Sequence, residues 1–178
     1  MYCKKNIRWS WDQIAEIKKI KGIEKKWEVK FPMEYINSVM EHDSGGLEIL
    51  DESGDWRDAL IPLARYGCSS IYLLSFVNIA YDDVNYIEMI YESNLNFTPG
   101  GVYPFAESGG GDIFFFDYRS GNTEPSVLFM NHERAISIDN LTENDLQEKP
   151  LEDWLNDNLV FVCNSFKDLF KIAYQSDY

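Results

Sequence analysis

Residues 102–117, with the sequence VYPFAESGGGDIFFFD, contain the pattern that decides the fold. Apolar residues at 101–106 lead into a turn at residues 107–111, and a nearly continuous apolar run follows at residues 112–117. An unbroken apolar run bounded by turn residues indicates a strand that is buried on both faces. The stretch therefore predicts two strands joined by a tight glycine-rich turn.

Helix signals lie before these strands. Residues 10–13 (SWDQ) form a predicted capping box for a first helix, which has isoleucines at helical spacing and ends at Gly22. A second helix is predicted to have Pro32 at its first position, where a missing N–H costs nothing. It is predicted to end before Gly45 and Gly46, because glycines allow a positive φ and a sharp exit.

The remaining elements follow from apolar spacing. Residues 80–94 fit a helix, although their tyrosines and β-branched residues weaken that assignment. Residues 139–155 are acidic and are predicted to be irregular or partly helical, with Pro150 as a breaker. A closing helix is predicted to be capped at residues 164–165. Further strands are predicted at residues 47–50, 126–130 and 159–162. Helices at the two ends of the chain with strands between them predict an α+β fold.

The chain is acidic, and its charge is uneven. Its 178 residues, which suit a single domain over 1–178, carry 16 Lys and Arg against 30 Asp and Glu, for a net charge of −14. Residues 1–30 carry +5 and the remainder carries −19. Affinity for phosphates comes from Lys and Arg, so this balance argues against nucleic acid as a direct partner. It leaves a basic protein partner open.

Cysteine usage and hydropathy indicate a compartment. The three cysteines, Cys3, Cys68 and Cys163, are widely separated and show no zinc-site spacing, which predicts free thiols in a reducing cytoplasm. The basic residues at 1–9 precede no apolar stretch, so no signal peptide is predicted. The longest apolar segment, near residues 71–80, is shorter than the about 20 residues that span a bilayer. We expect a cytoplasmic protein with no membrane contact, no cofactor and no metal.

Catalytic residues are scarce. His42 and His132 are the only histidines, and histidine is the commonest general acid–base residue. His132 precedes Glu133, but adjacent residues on an extended segment point to opposite faces and cannot assist each other. We therefore predict that the chain is not an enzyme, and a small hydrolase is the least favoured interpretation.

Two segments resemble ligand loops without matching them. Residues 51–55 start like a calcium loop, but Trp56 and Pro62 stand where that loop requires Gly and Glu. The glycines at 109–111 lack the Lys and Ser/Thr of a phosphate-binding loop, and they precede a strand rather than a helix. Neither a metal site nor a phosphate site is predicted.

Four segments, taken in order, resemble the SUKH superfamily, which is named after a fungal regulator of cell-wall synthesis. They are the Pro-led helix and Gly-Gly turn (31–46), the glycine-rich strand pair (102–117), the next strand (127–133) and a Ser-Phe helix (164–170), within residues 23–174. The resemblance implies a single SUKH-like domain, with a twisted, mostly antiparallel sheet and flanking helices. Bacterial members resemble immunity proteins that neutralise toxins of polymorphic or contact-dependent competition systems. Other members are regulatory scaffolds.

The resemblance implies a cognate protein toxin as partner, and an acidic inhibitor would be steered towards a nuclease with a basic cleft. The alternative is a non-enzymatic regulatory or scaffold domain that recruits a cellular protein. The acidic loop at residues 51–58 is either solvated or a contact for the partner, and its Trp favours contact, because aromatic residues among charges recur as interface anchors. The predicted partner-binding residues are Asp51, Glu52, Asp55, Trp56 and Asp58. The predicted structural residues are Pro32, Gly45, Gly46 and Gly111, which set the backbone path, with Asp112 and Asp117 predicted to bond to turn N–H groups rather than to touch a partner.

Overall fold

The structure, a computed structural model, describes residues 7–10, 14–63, 71–72, 75–79 and 86–175. The helices are α1 (Ile17–Trp27), α2 (Met33–His42), α3 (Ile87–Ser93), α4 (Glu143–Glu148), α5 (Leu151–Asp157) and α6 (Phe166–Ile172), with a 3₁₀ turn at Ile138–Asn140. The strands are β1 (Ile7–Trp9), β2 (Leu47–Leu50), β3 (Trp56–Ile61), β4 (Ile71–Tyr72), β5 (Ser75–Phe76), β6 (Val102–Glu107), β7 (Ile113–Asp117), β8 (Ser126–Met130), β9 (Leu159–Cys163) and β10 (Tyr174–Gln175).

The described strands form two sheets. In the first sheet the order is β1-β2-β3-β10, and the short strand β4 also pairs with β3. In the second sheet the order is β5-β6-β7-β8-β9. Every pair of neighbouring strands is antiparallel. The predicted α+β class with mostly antiparallel strands is confirmed, and the strands are divided between two sheets.

The glycine-rich hairpin is confirmed at the centre of the second sheet. β7 lies between β6 and β8, and its residues 113–116 are all buried. A strand with neighbours on both sides and cover on both faces has no polar face, which explains its unbroken apolar run. The turn before β7 places Gly111 at a φ of +86°, where a side chain would be strained.

The core lies between the sheets and the helices α1, α2 and α6. At its centre is the fully buried ring of Tyr35 from α2. Aromatic rings favour edge-on contacts with one another. The rings that meet Tyr35 edge-on, with centroids 5.3–5.9 Å away, belong to Phe31, Phe76, Phe105, Phe116 and Phe166. Leu47 and Ile61 of the first sheet belong to the same core, so residues from both sheets share it.

The boundaries of the first helix differ from the prediction. Residues 11–13 of the predicted capping box lie outside the described residues, and α1 begins only at Ile17. The helix does not end at Gly22. It continues to Trp27, because Gly22 faces solvent while Ile23 and Trp27 extend the buried stripe. Glu28, at a φ of 56°, ends it.

The second helix is confirmed with shifted ends. Pro32 is its N-cap residue, one position before the first helical residue. The left-handed residue after the helix is Ser44, with a φ of 65°, and Gly45 and Gly46 do not have positive φ. Both glycines are buried. The N–H of Ser10 donates to the carbonyl of Gly46, and the N–H of Phe76 donates to the carbonyl of Gly45. They are therefore points of close backbone approach rather than a left-handed exit.

The C-terminal third follows the prediction closely. The acidic stretch contains two short helices, and Pro150 separates them as the N-cap of α5. Ser165 caps α6 by accepting the N–H of Asp168. In the ambiguous stretch at 80–94, α3 occupies the last part, while residues 80–85 lie outside the described residues.

Candidate partner-binding surface

Two of the predicted partner-binding residues, Trp56 and Asp58, lie on β3 in the first sheet, and the other three lie in the loop before it. Arg8 pairs with Glu48 across β1 and β2, and Glu48 pairs with Asp58 across β2 and β3. Paired residues point to the same side of a sheet, and side chains alternate along each strand. Leu50 and Trp56, which also pair, therefore share that side. We call the surface formed by Arg8, Glu48, Leu50, Trp56 and Asp58 the outer face.

The loop before β3 is held together by Asp51. Its carboxylate accepts hydrogen bonds from the hydroxyl of Ser53 at 2.7 Å, the N–H of Asp55 at 2.8 Å and Nε of Arg57 at 3.1 Å. These donors, first the Ser53 hydroxyl, lower the pKa of Asp51 to about 2. The Asp51 carboxylate therefore stabilises the conformation of the loop through these hydrogen bonds.

The other acidic residues of the predicted site differ in their environment. Asp55 is exposed but lies 3.8 Å from the guanidinium of Arg57. Glu52 and Asp58 are exposed. Arg57 lies near Asp51 and Asp55 and partly neutralises the loop, whereas Asp58 is on the outer face. We call the loop and the outer face together the acidic region.

The ring of Trp56 is partly covered by Arg8. Its ring is half-buried, and the guanidinium carbon of Arg8 lies 4.4 Å from the ring centre. The same guanidinium donates through Nε to Glu48. The sequence predicted a loop for Trp56 and Asp58, but both belong to β3. This strand geometry holds both side chains in fixed positions.

Arg8 and Glu48 are members of this surface that the sequence did not reveal. They are forty positions apart in the chain, and only the register of β1 against β2 brings them together. Including them, the region contains five carboxylates and two arginines and keeps an acidic balance.

Two of the predicted structural residues have clear roles. Asp117 accepts the backbone N–H of Arg119 at 3.0 Å and its guanidinium at 2.8 Å, as expected of a turn carboxylate. Asp112 accepts the backbone N–H of His132 at 3.0 Å, and its carboxylate lies 2.9 Å from Nδ1 of that ring. The bond of Asp112 therefore reaches across to the segment after β8 and ties two turns together.

A groove opens on the opposite side of β1. It has a volume of about 490 Å³ and lies between β1, α2 and α6. We call it the β1 groove. The residues that line it are Ile7, Trp9, Asn37, Ser38, Glu41, His42, Lys167 and Phe170. Trp9 is half-buried here and packs against Phe76, with a centroid distance of 4.3 Å. The sequence does not reveal this groove, because its walls come from three distant segments.

A second acidic surface lies on α4 and α5. Glu143, Glu148, Glu152 and Asp153 are all exposed there. The apolar side chains of Leu146 and Leu151 are 47% and 41% exposed, so this helix pair also combines charge with apolar surface. We call it the acidic helix pair.

The described residues also bear on metal, membrane and thiol chemistry. Within the part of the chain that the structure describes, no three His, Cys, Asp or Glu side chains are placed to hold a metal ion. The described helices include none with both the length and the apolar character needed to cross a membrane. Cys163 is buried, and burial raises the pKa of its thiol to about 12, which disfavours a reactive thiolate. Cys3 and Cys68 lie outside the described residues.

Comparison with protein families gives one match that spans most of the chain. The family model described as the SMI1 / KNR4 family (SUKH-1) matches residues 15–172. That range includes β2, β3 and their acidic loop, the second sheet, and the helices from α1 to α6. Comparison with curated proteins gives no match.

Proposed function

The chain belongs to the SMI1 / KNR4 family (SUKH-1), and from this we propose that it is an immunity protein, which binds and neutralises a cognate toxin. The toxin would belong to a bacterial polymorphic or contact-dependent system, and the encounter would take place in the cytoplasm. Family membership over residues 15–172 is the observation that carries this proposal. It also supports binding rather than catalysis.

The charge of the chain supports a basic partner. A net charge of −14 attracts a positively charged surface and repels nucleic acid. Many toxins of these systems are nucleases, which need a basic cleft for their substrate. An acidic inhibitor gains association rate by electrostatic steering towards such a cleft, and it neutralises the toxin by occupying the cleft.

We place the toxin contact on the outer face and the adjoining loop. Glu52 and Asp58 supply exposed carboxylates, and Trp56 supplies an aromatic centre. Binding energy at interfaces concentrates in aromatic and arginine residues near the centre, with charges at the rim. We also treat residues 1–178 as one SUKH-like domain, because one core joins α1, α2, α6 and strands of both sheets.

A growth experiment tests the proposal. Each toxin domain encoded beside the gene for this chain is expressed in bacterial cells, alone and together with the chain. We expect the chain to restore growth against one of these toxins and to form a complex with the purified toxin domain. An unrelated toxin serves as the control and should remain lethal.

The alternative regulatory role gives a different result. A scaffold domain that recruits a cellular protein would protect against none of the neighbouring toxins. Failure to protect, with the chain folded and expressed, would therefore contradict the immunity proposal and favour recruitment of a cellular partner.

A further inference from the structure

The β1 groove has the form of a binding site. Its volume of about 490 Å³ lies in the range of about 300–1,000 Å³ that is typical of ligand sites. Its lining combines rings with a few polar groups, as such sites usually do. Trp9 packs against Phe76 on its buried side, so the groove lies outside the packed core.

The groove is lined by rings on several sides. The ring of Trp9 meets that of Phe170 edge-on at 6.1 Å and lies roughly parallel to that of His42 at 6.4 Å. These rings come from β1, α6 and α2, and all three line the groove. Aromatic rings favour edge-to-face and offset contacts with one another, so an aromatic occupant gains from a lining of this kind. Aromatic chemistry is therefore favoured over a purely aliphatic occupant.

Charge at the rim adds a second requirement. Glu41 of α2 lines the groove, and its side chain is 77% exposed and lies 3.9 Å from Nε2 of His42. A partner cation fits this wall. Lys167 lies on the opposite wall, on α6, so the cation belongs on the α2 side only.

The position of the groove connects it to the outer face. In the first sheet β1 is an edge strand among the described strands. Arg8 points to the outer face, whereas Ile7 and Trp9 line the groove. A partner segment that crosses β1 would therefore contact both surfaces.

We infer that the β1 groove receives an aromatic side chain from an extended segment of the toxin, with an adjacent basic residue that faces Glu41. This inference rests on the proposed function, because the occupant is part of the toxin. It extends the contact from the outer face across β1 and gives that contact a buried aromatic anchor.

Short peptides test the occupant without the toxin. The probes are N-acetyl-Trp-Arg-amide, N-acetyl-Trp-Glu-amide and N-acetyl-Ala-Arg-amide, added up to about 10 mM, since small fragments bind weakly. NMR titration reports on Trp9 and His42. We expect the Trp-Arg peptide to bind at least about tenfold more tightly than either other peptide, a difference that corresponds to about 1.4 kcal/mol.

Two variants of α2 localise the binding. Asn37→Trp fills the groove from an exposed position, and Met40→Trp adds the same ring at an exposed position of α2 that does not line the groove. Trp-Arg binding should fall at least about tenfold in Asn37→Trp and stay unchanged in Met40→Trp. If thermal melting shows that Asn37→Trp does not fold, Lys167→Trp fills the groove from α6.

Three results would overturn the inference. They are no binding of Trp-Arg by the wild type, equal binding of Trp-Glu, and undiminished binding by the folded groove-filling variant. The toxin then separates this inference from the proposed function. If the wild-type chain fails to protect cells, the immunity proposal is wrong. If the wild-type chain protects cells and Asn37→Trp protects them equally well, the groove is excluded as a toxin contact and the immunity proposal stands.

Discussion

The guanidinium of Arg8 lies over the ring of Trp56, with its central carbon 4.4 Å from the ring centre. A cation of the edge strand β1 thus covers the one aromatic residue of an acidic surface. An exposed cation–π contact contributes about 0.5–1 kcal/mol, and an exposed ion pair such as that of Arg8 with Glu48 contributes about 0–1 kcal/mol. Arg8 therefore affects stability little and affects what the outer face presents to a partner.

Replacing Arg8 tests that role. Arg8→Ala removes a positive charge from the outer face and uncovers Trp56, so we expect association with the toxin to become about twofold to fivefold faster. The measurement is the association rate by stopped flow at low salt. Lys25→Ala, which removes an equal charge from an exposed position of α1, should change the rate less. Slower association of Arg8→Ala would mean that Arg8 itself contacts the toxin.

Salt should weaken the encounter. The Debye length falls from about 30 Å at 0.01 M to about 3 Å at 1 M ionic strength, so steering by the acidic chain is screened. We expect the association rate to fall at least about tenfold across this range, while the dissociation rate changes much less. Stopped-flow measurements over a salt series provide the test. A rate that is indifferent to salt would exclude electrostatic steering and leave the fold unaffected.

The loop carboxylate Asp51 should make stability depend on pH. Its pKa of about 2 in the folded chain lies below the ordinary value of 3.8, because the Ser53 hydroxyl, the N–H of Asp55 and Arg57 stabilise the charged form. Its contribution is therefore fully present above pH 3.8 and is lost as the pH falls through about 2.

Asp51→Asn provides the comparison. Urea unfolding should show the wild type to be more stable than Asp51→Asn at neutral pH, with a difference that shrinks as the pH falls from about 4 towards about 2. Asp58→Asn, on the neighbouring strand, is the control. If the difference between wild type and Asp51→Asn persists undiminished at the lowest pH, the loop does not depend on the charge of Asp51.

The turn before β7 should depend on Gly111. Its φ of +86° strains any side chain, whereas an added Cβ would meet the His132 ring only at 3.8 Å, an ordinary contact. Gly111→Val should therefore destabilise the fold by about 1–2 kcal/mol and lower the Tm by about 2–8 °C. Gly110→Val is the matched control, because Gly110 does not have a positive φ. Equal melting temperatures for the two variants would contradict a backbone origin of the effect.

The parts of the fold that follow from local pattern could be predicted. The buried run of β7 and the Ser165 cap of α6 each depend on residues that are close in the chain. The end of α1 could not be predicted in this way. Gly22 is a local stop signal, but its cost of about 1 kcal/mol in a helix is outweighed by the burial of Ile23 and Trp27 beyond it.

The candidate partner-binding surface depends on distant pairing, and only a part of it is visible in the sequence. The acidic loop is visible in the sequence as a cluster of carboxylates around Trp56. β1 has only three residues, too few for a periodic pattern, so Arg8 could not be placed over Trp56 in advance. The β1 groove was missed for the same reason, since it exists only where β1, α2 and α6 meet.

The location of the toxin contact can be decided by charge reversal. The structure changes the choice of residues, because Asp51 braces its loop, so reversing its charge would disturb the loop as well as the surface. Glu52→Lys, Asp55→Lys and Asp58→Lys together reverse three exposed charges and leave that brace in place. We expect toxin binding to weaken at least about a hundredfold, or by about 3 kcal/mol, if these carboxylates meet desolvated Arg or Lys. Thermal melting should show an intact fold, since exposed substitutions usually stay within about 0.5 kcal/mol each.

The matched control carries the same charge change on the acidic helix pair. Glu143→Lys, Glu148→Lys and Asp153→Lys alter three exposed carboxylates of α4 and α5, so the net charge of the two triple variants is equal. Both should slow association through long-range steering, but only the variant near the outer face should raise the dissociation rate, because dissociation reports on close contacts. The decisive measurement is the pair of rate constants for each folded variant. If the dissociation rate rises only for the variant on α4 and α5, the toxin binds the acidic helix pair, and the outer face is not its contact.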